Sequence, residues 1–383
     1  MNNAISRRLL LGGGGAMAGA SLLPANASAG FSVGGTCKGL KPGKMASLYG
    51  PDPKDAHLIF NENPFGPSPK ALQALAEAST QGAYYQWPAV QKLMAMIAEK
   101  NGVEPNQILI TTGSSEILVS IALAYAQKGK TLGPDLFWDT TAKYAVRNGY
   151  GEIVRVPMKD GLEVDLPGMK AALTDEIGLV HIVNPNNPTG RLIPADELRA
   201  FTKEASKKAT VLIDEAYIEI SDDPEGNSMV DLVRAGHDVI IARTFSKIYG
   251  MAGLRVGYII TTPENAEALS SYMVTSPNVA GIAAAIASYN DEKFLAYSKS
   301  RIVEAREMIT EATAAVGLNP LPSQTSFVFV DVKKDAEDFR AKMEEKRVLI
   351  RGVYGEYKTY SRVSAGFAED VKRYVEALPH ALA

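Results

Sequence analysis

The sequence predicts an α/β fold with a large domain, in which helices cover a mostly parallel sheet, and a smaller α+β domain. Three observations support this prediction. The chain has 383 residues, which is more than one small module needs. Short apolar runs alternate with amphipathic segments over residues 107–242, a pattern typical of a parallel sheet with crossover helices. From about residue 263, long helical stretches alternate with short strands instead.

In the alternating region, each predicted strand is followed by a polar loop and a helix. Helical periodicity runs over 114–125 and again from 194 to about 207, where the second helix opens with a proline and two acidic residues. In sheets of this kind, ligands bind at the carboxyl ends of the strands. The predicted strands here are 107–110, 179–183, 211–213 and 239–242.

The C-terminal third has a different pattern, which predicts a separate small domain. Its predicted helices are 291–316 and 335–346, and its predicted strands are 327–330, 348–350 and 361–366. We therefore expect an arm or part of the small domain over 30–60, a large domain over 61–262 and a small C-terminal domain over 263–383.

Composition excludes several classes of function. Forty basic residues against 43 acidic residues give a net charge of −3, so no basic surplus exists to bind nucleic acid. The single cysteine, Cys37, excludes an internal disulfide framework and a cysteine-rich metal site. The four histidines lie far apart and lack metal-ligand spacing, so no metal is expected. An enzyme or a binding protein remains.

The first 29 residues have the pattern of an export signal. Arg7 and Arg8 precede an apolar stretch rich in glycine and alanine, and Ala27-Ser28-Ala29 is a small-x-small cleavage pattern. The paired arginines resemble the twin-arginine signal, which exports folded proteins, although a general secretory signal is the alternative. We expect a bacterial periplasmic or secreted protein without stable membrane insertion.

Four polar segments follow predicted strands, and each has a structural as well as a functional interpretation. The segment 184–190, Asn-Pro-Asn-Asn-Pro-Thr-Gly, is either a turn or a ligand loop. Asp214, at the end of a buried strand, requires a cation, which a structural ion pair or a ligand would supply. Lys247 is either a solvated lysine or a nucleophile that forms a Schiff base.

The other residues of these segments suggest a phosphate site. Thr244, Ser246 and Arg255 are candidate phosphate ligands. The helix that starts at Gly113-Ser114-Ser115 offers backbone N–H groups to an anion. The structural alternative there is ordinary helix capping by the first serine.

In this order and spacing, the four segments resemble the fold-type-I pyridoxal 5′-phosphate (PLP) enzymes, specifically the class I/II aminotransferases. The closest likeness is to the histidinol-phosphate aminotransferase group, and it also includes segments 61–69, 349–351 and 361–363. The resemblance covers roughly residues 55–380. It implies a PLP-dependent aminotransferase that exchanges an amino group between an amino acid, or an amine like histidinol phosphate, and a 2-oxo acid.

The resemblance also implies roles for individual residues. Lys247 would form the Schiff base with the cofactor and move the proton between the substrate α-carbon and the cofactor. Asp214 would pair with the pyridine nitrogen, and Asn187 and Tyr217 would bind the ring oxygen. Trp138 would stack on the ring, unless it is a core residue. The phosphate would be held by Gly113, Ser114, Ser115, Thr244, Ser246 and Arg255.

Further residues are implied to bind the substrate or the partner subunit. Tyr85 matches a tyrosine that such enzymes contribute to the neighbouring subunit's site, so a homodimer is expected. Arg362 would bind the substrate α-carboxylate, and Arg351 matches a position that binds the phosphate of histidinol phosphate. Phe65 stands where phosphate-binding members carry tyrosine, and the segment before Trp138 departs from the usual pattern. These departures and the export signal favour an amino-acid substrate.

Two alternatives remain open from the sequence. The same cofactor site supports oxidation, decarboxylation, racemisation or elimination, because the protein determines which bond of the substrate reacts. A non-catalytic binding protein on the same scaffold is the other alternative, since a fold does not prove an activity.

Overall fold

The computed structural model describes residues 49–273 and 275–383, so the predicted export signal and Cys37 lie outside the described residues. A seven-stranded sheet forms the centre of this part of the chain, in the order β2-β8-β7-β6-β5-β3-β4. The strands that form it are β2 (Ile108–Thr111), β3 (Lys130–Pro134), β4 (Ile153–Val156), β5 (Ile177–Val183), β6 (Thr210–Asp214), β7 (Val239–Thr244) and β8 (Gly257–Ile260). The shorter strands elsewhere are β1 (Ala56–His57), β9 (Asn319–Pro320), β10 (Phe327–Asp331), β11 (Val348–Leu349) and β12 (Tyr360–Ser364).

Helices surround the sheet and continue into the C-terminal part. Those of the N-terminal half are α1 (Pro69–Ser79), α2 (Trp87–Asn101), α3 (Ser114–Ala126), α4 (Thr140–Arg147), α5 (Leu166–Ala172) and α6 (Ala195–Ala205). Those that follow are α7 (Pro224–Asn227), α8 (Val230–Arg234), α9 (Pro263–Ser270), α10 (Val279–Ser288), α11 (Glu292–Ala315), α12 (Ala336–Glu345) and α13 (Ala368–Leu382). Among the described residues, no helix combines the length and apolar composition needed to cross a membrane.

The central sheet is mostly parallel, which confirms the predicted fold class. Strands β4, β3, β5, β6 and β7 pair in parallel, whereas β8 runs antiparallel to both β7 and β2. Successive side chains of a strand point to opposite faces. On β7, Val239 and Ile241 belong to one buried apolar cluster, and Ile240 and Ala242 belong to another. Helices therefore cover both faces of the sheet.

The strand ends explain where the polar motifs meet. Asp214 ends β6, and Thr244 ends the neighbouring β7. Asn184 follows β5, which pairs with the other side of β6. The carboxyl ends of these parallel strands share one edge of the sheet, so segments that are distant in sequence converge there.

The C-terminal part contains an antiparallel sheet, β12-β10-β9, together with the long helix α11 and helices α12 and α13. The two predicted helices of this part are confirmed with slightly shorter bounds. Strand β1 pairs in parallel with β11 near the C-terminus, through Ala56 with Val348 and His57 with Leu349. This pairing holds the segment that begins at Leu58 against the C-terminal sheet, where the Leu58 carbonyl accepts a hydrogen bond from the Ser364 amide at 2.9 Å.

Candidate active site

A cavity of about 350 Å³ lies at the carboxyl ends of the central strands. It is lined by residues from seven separate stretches of the chain, among them most of the residues predicted to bind the cofactor. These predicted residues are Ser114, Ser115, Trp138, Asn187, Asp214, Tyr217, Thr244, Ser246, Lys247 and Arg255; Arg362, predicted to bind the substrate, lines the cavity as well. The fold therefore brings these predicted residues together in one cavity.

Lys247 extends into this cavity from the loop after β7. Its Nζ donates a hydrogen bond to the backbone carbonyl of Asn61 at 3.0 Å and lies 5.4 Å from the centre of the Tyr217 ring. Burial, reinforced by the positive charge of Arg362, lowers the pKa of Lys247 to about 8. About a tenth of the amine is therefore unprotonated at pH 7, far more than for an ordinary lysine, and a nucleophile or a base requires this neutral form.

Asp214 lies on the floor of the cavity and is only 4% exposed. One carboxylate oxygen accepts a hydrogen bond from the Ala216 amide at 3.1 Å, and no cationic side chain of the described residues lies within 4.0 Å. Burial raises the pKa of this carboxyl to about 7. The structural alternative, an aspartate paired with a protein cation, is therefore wrong, and the carboxylate is free to pair with a cationic ligand.

Helix α3 presents its N-terminus to the same cavity. Its N-cap residue is Gly113, and no side chain caps the first turn, so the alternative in which Ser114 is the cap is wrong. Gly113 has a φ of 72°, and a Cβ atom there would lie 2.2 Å from a guanidinium nitrogen of Arg255. Glycine is required because both the backbone conformation and the close guanidinium exclude a side chain. The free backbone N–H groups form a cradle for an anion.

Hydroxyl and guanidinium groups complete this cradle. The Thr244 hydroxyl donates to the Ser246 hydroxyl at 2.9 Å, and Arg255 Nη1 lies 3.4 Å from the same Ser246 oxygen. Arg255 Nη1 also donates to the Ala252 carbonyl at 2.8 Å, which orients the guanidinium toward Gly113. Uncapped amides, hydroxyls and a guanidinium are the donors that a phosphate group requires.

Arg362 forms the opposite wall, together with Asn187. Its Nη1 donates to Asn187 Oδ1 at 2.7 Å, and its Nη2 donates to the Ile59 carbonyl at 3.0 Å. The guanidinium lies between the rings of Phe327 and Tyr354, at 5.2 and 5.5 Å from their centres. Its Nε is buried and has no acceptor among the described residues. An anionic group of a ligand would supply that acceptor.

Four predicted residues lie at the edge of this site or outside it. Gly113 adjoins the cavity through the helix that it caps. Arg351 lines a second, neighbouring cavity, whereas Phe65 does not line the active-site cavity and packs edge-on against Phe367 and Tyr297. Tyr85 is 95% exposed and lies on a different surface, next to a separate cavity.

Asn61 and Glu62 also line the cavity, although sequence reasoning gave them no role. Asn61 Nδ2 donates to the Tyr217 hydroxyl at 3.0 Å, and its Oδ1 accepts from the Ser364 hydroxyl at 2.9 Å. Burial raises the pKa of Tyr217 to about 12. Asn61 has a φ of 55°, a left-handed conformation that asparagine tolerates better than most residues. The sequence Asn61-Glu62-Asn63-Pro64 was part of the family resemblance, but it gave no indication that Asn61 contacts Tyr217 and Ser364.

Comparison with known proteins identifies the family. The sequence model described as "Aminotransferase class I and II" matches residues 55–378, which is most of the chain. The chain belongs to the class I and II aminotransferases. It is an enzyme, a PLP-dependent aminotransferase, and the family favours transamination over the other reactions of this cofactor.

Individual relatives of this aminotransferase agree with the family. The histidinol-phosphate aminotransferase of Brevibacillus brevis is 35% identical over 84% of this chain and 88% of the relative. An aromatic amino acid aminotransferase of Thermobifida fusca is 33% identical over 86% and 90%. A solved structure of the Sinorhizobium meliloti histidinol-phosphate aminotransferase with pyridoxal-5′-phosphate is 31% identical, with a TM-score of 0.78, and covers 85% of this chain and 90% of its own.

The site of the aminotransferase fits the cofactor on its own chemistry. The uncapped start of α3 with Arg255 suits a phosphate, and the unpaired carboxyl of Asp214 suits a protonated pyridine nitrogen. Lys247 supplies an amine of lowered pKa in the same cavity. These three features match the phosphate, the ring nitrogen and the aldehyde of PLP, respectively.

Proposed function

We propose that this aminotransferase transfers the amino group of an α-amino acid to a 2-oxo acid, with Lys247 as the catalytic base and Arg362 as the carboxylate-binding residue. One observation carries the proposal. Lys247, the unpaired Asp214 and Arg362 line a single cavity, and the buried Nε of Arg362 has no acceptor among the described residues. A base, a partner for the ring nitrogen and a carboxylate ligand are the groups that this reaction requires from the protein.

Each residue has a defined task in this proposal. Bound PLP supplies an aldehyde that reacts with amines and a ring that accepts electrons from the substrate α-carbon. The Lys247 amine would take the proton from the substrate α-carbon and return it to the cofactor side of the reacting bond. Asp214 would hold a proton at the ring nitrogen. Tyr217 and the side-chain amide of Asn187 would donate hydrogen bonds to the ring oxygen, and Trp138 would pack against the ring.

Arg362 orients the substrate for this proton transfer. Its guanidinium is fixed by Asn187, by the Ile59 carbonyl and by two aromatic rings, and Arg362 lines the cavity where the substrate carboxylate would bind. A fixed guanidinium loses little entropy when it binds a carboxylate, so the Cα–H bond is held in a defined direction. Arg362→Lys would keep the charge but lose this geometry.

An α-amino acid, rather than histidinol phosphate, is proposed as the donor on two features of the sequence. One is the predicted export signal; the other is Phe65, which lacks the hydroxyl of the tyrosine expected in phosphate-binding members, although it lies outside the active-site cavity. Histidinol phosphate is the second candidate, because relatives at 30–35% identity bear that name. The ratio of kcat/KM for the two classes of donor discriminates between them. A preference for histidinol phosphate by orders of magnitude would overturn the first candidate.

The experiment that tests the proposal is an absorption titration of the purified protein. We expect wild type with PLP to show a visible band that one amino acid bleaches and one 2-oxo acid restores. Lys247→Ala should lack the band that depends on the lysine. A matched control, Lys203→Gln, removes an exposed lysine of α6 and should behave like wild type. A wild-type spectrum that responds to no donor would refute transamination by this site.

The proposal includes a homodimer in which Tyr85 enters the partner's site. Three large aromatic side chains lie close together in sequence and are strongly exposed: Tyr84 at 69%, Tyr85 at 95% and Trp87 at 62%. Exposed apolar surface of this size is typical of an interface. Sedimentation should show a dimer. Tyr85→Phe should weaken PLP binding, while the variant protein should remain dimeric. A monomer with full activity would refute this part.

We also propose that residues 1–29 direct export of the folded protein to a bacterial periplasm or to the outside of the cell. Support comes from the sequence, in which Arg7 and Arg8 precede the apolar stretch. The double variant Arg7→Lys, Arg8→Lys should keep the aminotransferase inside the cell if the twin-arginine route is used. Unchanged export would indicate the general secretory route instead.

A further inference from the structure

A second cavity, of about 370 Å³, adjoins the first on the side of Arg362. The two cavities share four lining residues: Phe60, Trp138, Asn187 and Arg362. A substrate whose carboxylate binds Arg362 would therefore have the second cavity available for the rest of its side chain. The charges that line this cavity therefore help to determine which substrate side chains bind there.

The second cavity carries more positive charge than negative. Lys143, Arg147 and Arg351 line it together with one acidic residue, Asp139. Asp139 already binds Lys143 at 2.9 Å and Arg155 at 2.5 Å through the same oxygen. Lys143 and Arg155 each form an ion pair with Asp139, whereas no carboxylate of the described residues lies within 4.0 Å of Arg147 or Arg351.

The spacing on α4 explains why Arg147 faces this cavity. Asp139, Lys143 and Arg147 are separated by four residues each, so they lie along one face of the helix. Lys143 and Asp139 form an ion pair that Arg155 shares, whereas Arg147 has no carboxylate within 4.0 Å among the described residues. Arg147 lies in the last turn of α4, where a positive charge also interacts favourably with the helix dipole. The dipole alone does not explain why Arg147 lines the same cavity as Arg362.

Arg351 approaches the same space from the C-terminal sheet. The backbones of Arg351 and Arg362 exchange two hydrogen bonds of 3.0 Å in an isolated antiparallel bridge, so the two residues lie directly opposite each other. Their guanidinium groups flank the ring of Tyr354, at 5.8 and 5.5 Å from its centre. Arg362 is buried and fixed, whereas Arg351 is exposed at the outer side of the ring.

We propose that Arg147 is a specificity-determining residue, which binds the distal anionic group of the substrate together with Arg351. The ligand class is an amino acid, or its 2-oxo acid, with a carboxylate or phosphate at the end of its side chain. Guanidinium groups bind both anions through paired hydrogen bonds. The inference rests on the proposed function, since it takes Arg362 as the ligand of the α-carboxylate.

The test compares substrates that differ only in the distal charge. Glutamate and glutamine have nearly the same shape, and O-phosphoserine and serine differ by the phosphate. In Arg147→Gln holoenzyme, kcat/KM for the charged member of a pair should fall about 10- to 100-fold, mainly through KM. The uncharged member should change less than about twofold. Arg147→Lys should recover part of the loss, because it retains the charge.

A binding measurement makes the test independent of turnover. Succinate is an unreactive dicarboxylate, and butyrate is a monocarboxylate of similar length. By calorimetry, Arg147→Gln should weaken succinate binding to the holoenzyme about tenfold or more and leave butyrate binding unchanged. Lys203→Gln, which removes a distant positive charge, is the control for long-range electrostatics and should alter neither ligand.

The outcomes separate the two proposals. For each pair of substrates, the ratio of kcat/KM for the charged member to kcat/KM for the uncharged member is compared between Arg147→Gln and wild type. If both ratios are unchanged, the proposed role of Arg147 is refuted. Equal losses for both members of each pair would refute it as well. In either case, donor-dependent bleaching of the wild-type spectrum would leave the proposed transamination intact. The pair with the larger loss identifies carboxylate or phosphate as the distal group.

Discussion

Replacing Asp214 with asparagine should stabilise the cofactor-free aminotransferase at pH 8, and its stability relative to wild type should increase with pH. Burial raises the pKa of this carboxyl from 3.8 to about 7, so the folded state holds its proton more tightly than the unfolded state does. The free energy of unfolding therefore falls as the pH rises from about 4 to about 7. Above that window the penalty is complete, and it corresponds to about 4 kcal/mol as an upper limit.

The expected difference between the two proteins follows from this window. At pH 5 only part of the penalty has developed, whereas at pH 8 all of it has. The stability of Asp214→Asn relative to wild type should thus increase by about 2 to 3 kcal/mol between pH 5 and pH 8. Asparagine keeps the oxygen that accepts from the Ala216 amide, but its NH₂ group lacks an acceptor, which costs about 1–3 kcal/mol at every pH. The change with pH is independent of that constant cost.

Urea unfolding of the cofactor-free proteins at pH 5 and pH 8 measures this change. Asp196→Asn is the matched control, because it makes the same chemical change at a fully exposed carboxylate. Asp214→Asn should also lose transaminase activity by about 100-fold or more, since the proton at the ring nitrogen is no longer held. A stability difference that stays constant from pH 5 to pH 8 would refute the argument from burial.

Three further substitutions test other parts of the structure. Gly113→Ala should weaken PLP binding about tenfold or more by fluorescence titration, because its Cβ would meet the Arg255 guanidinium; an unchanged affinity would show that the phosphate binds elsewhere. Arg243→Ala should lower the free energy of unfolding by about 3–5 kcal/mol, because it leaves the fully buried Glu215 unpaired; a loss below about 1 kcal/mol would contradict this. Asp165→Ala should cost about 1 kcal/mol in urea unfolding, because Asp165 caps α5.

The neighbouring parallel strands β5, β6 and β7 and the convergence of their polar motifs could be predicted from the sequence, because both depend on local patterns, whereas β3 and β4 were not predicted. An apolar run followed by a polar loop indicates a strand end, and the ends of parallel strands share an edge. The sequence pattern alone therefore places Asp214 and Lys247 at the same edge of the sheet. The Pro194 signal likewise placed α6 within two residues of its observed bounds.

Other features depend on contacts between distant segments and could not be predicted. Strand β8 has the apolar pattern of a strand, but its antiparallel direction is determined by β2 and β7 on either side. Asn61 joins the site through Tyr217 and Ser364, which are 156 and 303 residues away in sequence. The charge balance of the second cavity likewise depends on the fold, because α4 and the C-terminal sheet both contribute residues to it.

The pKa of Asp214 also connects the stability of the protein to cofactor binding. A buried carboxylate without a cation destabilises the folded state above pH 7, and the protonated ring nitrogen of PLP supplies the missing cation. The same free energy that the cofactor-free protein loses becomes available for binding, so the cofactor should stabilise wild type more than Asp214→Asn. The first turn of α3 adds to this effect, because its uncapped amides gain an acceptor in the phosphate. A chain with these two unsatisfied features is thus expected to be most stable when it has bound its cofactor, which suits the proposed export of a folded and loaded enzyme.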